Sequence, residues 1–234
     1  MWQDEVSGLK TGTRNRAWYE TVKSKYPSFQ PSLGSLRQER VLKNNQSSYV
    51  FDFKTADPTG RSVTERLLAV TDSFGANTLM LGLAVRQKSR PSANKLLTYP
   101  AIETIAAAFS GSTSEQPNSA AKQAASDLEV VYNGNLSLQI ATNSIFDGLD
   151  ARRFRHVPAT QQGVFASQNQ SDYLDGAVAI EPQIFLDGTQ ANKLQVEIPT
   201  FAGMAIEPDN PDFELVLVLV ASGFRVQGGS DLKR

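Results

Sequence analysis

One histidine, no cysteine and a scatter of carboxylates are what these 234 residues offer to chemistry. His156 follows Arg152, Arg153 and Arg155 in the run ARRFRHVP. Neighbouring guanidinium groups disfavour the imidazolium, so His156 is a poor general acid. As a base it has Asp150 as its one acidic neighbour in sequence. Without cysteine there is no disulfide scaffold, zinc finger, iron–sulfur cluster or thiol nucleophile. The carboxylates fall in three groups: Asp147 with Asp150, Asp172 with Asp175, and Glu207 with Asp209 and Asp212. The last group offers several oxygens to a calcium ion, but its spacing matches no EF-hand, and Pro208 and Pro211 favour a turn. No phosphate-binding glycine loop and no G-x-S-x-G nucleophile elbow is present. The expectation is therefore no catalytic residue, no metal ligand and no cofactor. Asn45, Asn135 and Asn169 open Asn-x-Ser triplets, which read as chance.

Binding is better represented than catalysis. Arg152, Arg153 and Arg155 carry planar forks suited to carboxylates or phosphates. Residues 1–43 hold eight basic and four acidic side chains, a net +4, whereas the remainder carries −5, and the chain as a whole −1. Trp2, Trp18, Tyr19, Tyr26 and Phe29 are spread among these charges, although disordered tails are poor in aromatics. Such a segment reads as an arm that orders by lying across a neighbour. Arg14, Arg16, Trp18, Lys23 and Lys25, together with Arg152, Arg153 and Arg155, are the residues expected to meet another subunit or an anionic partner.

The elements that would position these groups are mostly strands. Arg16 to Lys25 suits a short helix, stopped by Pro27 and Pro31. From residue 47 onward apolar residues alternate: Tyr49, Phe51 and Phe53; Leu79, Leu81, Leu83 and Val85; Leu136, Leu138 and Ile140; Leu194, Val196 and Ile198. Val178 to Leu186 reads as a strand that Pro182 confines to an edge or a bulge. Phe213 to Ala221 is apolar on both faces and should be a central strand, with a bulge at Gly223. Residues 101–109 and 120–131 have helical spacing and form one helical excursion at about 100–131. Asp57 to Gly60, 159–176 and 199–211 read as turns and loops. Seven to nine strands with long loops point to an antiparallel β-sandwich or barrel over 44–234, preceded by the arm 1–43. The longest apolar run, Leu215 to Ala221, is far short of a bilayer span, and the start MWQDEV is unlike a secretory signal. A soluble protein made in a cytoplasm is the expectation.

A basic, aromatic N-terminal segment (1–43), a strand-rich body with a helical excursion (101–131), long polar loops (159–176 and 199–212) and the apolar strand FELVLVLVA (213–221) form a familiar layout. In that layout the chain resembles the jelly-roll coat proteins of icosahedral bacteriophages. The resemblance implies a mainly β, antiparallel jelly-roll sandwich with an extended N-terminal arm. It also implies a self-assembling capsid subunit of the virion, without catalytic activity. The implied partners are copies of itself, as a trimer within a larger shell, other virion proteins, and an internal lipid membrane or genome facing the basic arm. The alternative from another class is a carbohydrate-binding β-sandwich, adhesin-like or lectin-like, stacking sugars on exposed aromatics such as Tyr173 or Phe165.

Overall fold

In the computed structural model, residues 2–54, 65–97, 119–155 and 177–230 are described, as backbone alone at 2–13, 91–97 and 119–121. Nine strands organise them: β1 (Ser32–Val41), β2 (Ser48–Asp52), β3 (Ser73–Gln87), β4 (Arg90–Leu97), β5 (Asn135–Ile140), β6 (Asn143–Asp150), β7 (Ala177–Asp187), β8 (Asn192–Glu197) and β9 (Phe213–Val226). Two helices, α1 (Trp2–Lys25) and α2 (Ser119–Glu129), and two 3₁₀ turns, Val130–Asn133 and Ala151–Phe154, complete the described part. The strands form two antiparallel sheets. One has the order β1-β9-β3-β4, with β7 also on β3, and the other is β2-β8-β5-β6.

The pairing is nested. The first strand pairs with the last, β2 with β8, β3 with β7 and β5 with β6. Only β4 stands outside this scheme, returning on β3 through a short hairpin.

Between the sheets lies the main core. Alternate residues of β9 (Leu215, Leu217, Leu219, Ala221) face those of β2, β5 and β8, among them Phe51, Leu138 and Val196. Each such side chain removed from water stabilises the fold by about 1.5–3 kcal/mol. The expected central strand is thus β9, flanked by β1 and β3. Its other face is buried too, because Val216 and Val218 pack with Ala84 in a separate cluster. Beside that cluster lie charges: Arg86, fully buried, pairs with Glu39 (3.4 Å) and Glu214 (2.8 Å), and Arg37 with Glu39 (2.8 Å).

Residues 1–43 are not an extended arm. They comprise α1 and β1, and β1 is hydrogen-bonded to β9 along its whole length. The helix runs from Trp2, well before the expected Arg16. It lies on the outer face of the five-stranded sheet, where Trp18, Val22 and Tyr26 bury against Phe185, Phe224 and Val226. The Trp18 indole N–H donates to the Gly75 carbonyl (3.0 Å). A Cβ at Gly75 would stand 2.8 Å from Val22, so glycine lets the helix come this close.

A bulge does occur near Gly223, but the extra residue is Asn77 on β3, between the pairs Ala76–Gly223 and Thr78–Ser222. Gly223 is needed because a Cβ there would run into the Gly75 carbonyl. Residues 180–183 of β7 fall outside the ladder, as Pro182 led us to expect. The hairpin strand β4 and the exposed edge strand β6 were not anticipated. The turn at 57–60, the helix at 101–109 and the loop at 159–176 lie outside the described residues.

Candidate functional site

The residues expected to bind a partner fall in two places. Those on α1 are turned largely onto their own chain. Arg14 donates to the Ile180 carbonyl (3.1 Å) and pairs with Glu181 (3.2 Å). Trp18 is buried, and Lys23 donates to the carbonyls of Pro27 (3.2 Å) and Phe29 (2.6 Å), closing the chain after the helix. The Lys25 ammonium lies 3.6 Å from the Phe185 ring centre, a cation–π contact. Arg16 is exposed and has no ion pair to a described residue. Trp18, Tyr19, Tyr26 and Phe29 anchor this segment to the outer face of the five-stranded sheet, against Phe224 and Val226 of β9.

The second set stands at one end of the sandwich. The connections 42–47, 130–134, 151–155 and 198–212 and the hairpin at 88–89 all leave the strands there, as the pairings Val41–Val216, Ser48–Glu197, Asn135–Asp150 and Gln87–Phe213 require. Specific bonds stitch this loop end together. The Asn44 side-chain carbonyl accepts from the N–H groups of Ile206 (2.7 Å) and Glu207 (3.0 Å). Glu207 in turn accepts from the Asn44 N–H (3.0 Å) and pairs with Lys43 (2.9 Å). Asp127 of α2 accepts from the Ala205 N–H (2.9 Å). Such side-chain bonds to loop backbone hold a surface that would otherwise be mobile.

Electrostatics follow this layout. Burial acts to raise the Glu207 carboxyl, but the Asn44 N–H and the Lys43 ammonium outweigh it and hold the carboxyl below its ordinary range. Burial, helped by the charge on Glu207, raises Tyr49 against the opposing hydrogen bond from the Lys43 backbone. Tyr132 is raised strongly by burial, with Arg155 opposing, so it stays a neutral phenol.

Arg152 donates to the Asn133 side chain (3.0 Å), and its N–H to Asp150 (2.9 Å). Arg155 pairs with Glu129 (2.8 Å), joining the end of α2 to the turn after β6. Arg153, between them, is exposed and makes no ion pair with a described residue. A cleft of about 390 Å³ is bordered by Glu129, Tyr132, Asn133, Arg152 and Arg155. A second, of about 380 Å³, runs from Asn133 to Glu197 and Pro199. Both are polar. Tyr132, the one aromatic on their described borders, is buried and presents no stacking face.

Of the acidic groups, Asp147 accepts from Ser137 (2.6 Å), and Asp209 and Asp212 are exposed on the approach to β9. Among the described residues no three histidines, cysteines or carboxylates gather as a metal site would require. Nor is any described helix long and apolar enough to cross a membrane. His156, Asp172, Asp175, Tyr173 and Phe165 lie outside the described residues. Asn44 and Asp127 were missed by reading the sequence. Asn44 had a signal, since the pair Asn44-Asn45 is a turn-former just after Val41, Leu42 and Lys43. The sequence matches no protein-family model and no curated protein.

Proposed function

We propose that this chain is a structural, self-assembling shell subunit of an icosahedral virion, wound as a jelly roll and acting without catalysis. The observation that carries the reading is the nested strand pairing. A jelly roll wraps successive antiparallel strand pairs around a barrel, so first meets last and the innermost strands meet each other. The orders β1-β9-β3-β7 and β2-β8-β5-β6 are what that winding produces, with β4 as an addition. Fold alone does not assign function. The surface adds to the argument. Leu33, Val50 and Ile145 on outer strands and Phe201 on the loop end are large apolar side chains left in water. Each offers an apolar point of contact to a neighbouring copy. A rigid loop end and a helix clamped across one sheet give a subunit able to keep its shape through assembly.

The partners proposed are further copies, in a trimer within a larger shell, and other virion proteins, with the site of action the virion. Arg14, Lys23 and Lys25 of α1 are engaged on their own chain, so a membrane or genome beneath the shell would meet the exposed Arg16 instead. Size-exclusion chromatography with light scattering tests the reading. Trimers or larger particles, well above the 25.5 kDa of one chain, are expected, and a monomer at every concentration and salt would overturn it.

A further inference from the structure

We infer that neighbouring copies meet head to tail at the loop end, with Arg152 and Arg153 of one copy set against Asp209 and Asp212 of the next. The inference rests on the assembly reading and names the surface that serves it. Three observations carry it. First, the two patches stand on one end of the molecule, with Lys88 on the Pro211 carbonyl and Asp150 on the Arg152 N–H as the opposite charges beside them. The arginines follow β6, the edge of the four-stranded sheet, and the aspartates precede β9, inside the five-stranded sheet. Second, these charges are available. All four side chains are exposed, and Arg153, Asp209 and Asp212 form no ion pair with a described residue, whereas Arg155 is occupied by Glu129 and Lys43 by Glu207. Third, Phe201 lies on the same 198–212 connection as the aspartates, 45% exposed, and offers an apolar anchor.

The geometry selects the type of contact. Within one copy no ion pair among the described residues joins the two patches, which sit on different connections, one after β6 and one between β8 and β9. Each can satisfy the other kind on a neighbour, which is a heterologous contact, and repeated around an axis it closes into a ring. The loops on which the patches sit are tied to the framework by Asn44, Asp127 and Asn133. The patches are therefore presented without a large ordering cost. Like charges placed across such a contact repel, so its residues can be interrogated by reversal.

The test uses the full chain with R152E/R153E in one variant and D209K/D212K in another, each checked for native circular dichroism. Light scattering and analytical ultracentrifugation then compare wild type, each variant alone, and the two mixed. The wild type should associate, each variant alone should associate at least about tenfold more weakly, and the mixture should recover association as alternating, even-membered species, since two variants cannot close a trimer. Recovery on mixing cannot come from damage to the fold. If the wild type associates and the reversals change nothing, this contact is wrong while assembly stands. Loss in the arginine variant without recovery on mixing also overturns it, and points to another anionic partner. A wild type that never associates overturns both readings.

Discussion

The Arg86 guanidinium has no access to water and stands between Glu39 and Glu214. A buried pair of this kind adds little over apolar packing, but removing one partner strands the other. Arg86→Met should therefore lower stability by about 3–5 kcal/mol, seen as a drop in the urea midpoint; an unchanged midpoint would contradict the assignment. Glu207 makes a milder case. Its carboxyl is held below the usual range, so its contribution is present above that range and lost as pH falls through the lowered value. Because Glu207 and Lys43 are partly exposed (36% and 56%), Glu207→Gln should cost no more than about 1 kcal/mol at neutral pH. In thermal melts the gap between variant and wild type should close in acid; a gap that persists there would count against the tether. At this scale the sequence was a poor guide. In the sequence Arg37 and Glu39 enter only the charge balance of residues 1–43, because nothing in one chain's text reveals that their strand face is covered and faces Arg86.

Strands and helices were more legible where burial is one-sided or complete. The double-faced apolar run became β9, and the alternating leucines of residues 79–83 became β3. Two strands gave no such signal. In β1 the inward face carries Leu36 but also Gln38, whose amide bonds the Asp52 carbonyl, and in β6 most positions face water. Periodicity marks a strand only when one face excludes polar groups. The α1 contact gives a direct test. Trp18→Ala should remove about 3–5 kcal/mol and free the helix from Phe185, read as increased hydrogen exchange over 14–25. Deleting residues 1–43 should do more, since it strips β1 from β9 and leaves the central strand with an open edge. The shortened chain is expected to aggregate; a well-folded monomer would show that β1 is dispensable.

For the whole molecule, the decisive relation is which strand pairs with which, and that is set by contacts between residues such as Ser32 and Arg225 that lie far apart in the chain. No local pattern encodes it, so sequence reading reached an antiparallel sandwich or barrel and not the order of its strands. The candidate surface divides in the same way. The cluster Arg152, Arg153 and Arg155 was visible as text, but only the fold separates Arg155, bound to Glu129, from Arg153, which faces water. It also brings Asp209 and Asp212 to the same end. Contacts resting on such exposed charges are screened by salt, so association should weaken as ionic strength rises from 0.05 to about 0.5 M, as sedimentation velocity would register. The central claim, that this is a shell subunit, is met most directly by electron microscopy of the concentrated protein at low salt. Closed particles or rings of uniform size are the predicted result, and fields of dispersed monomers under every assembly condition would contradict it.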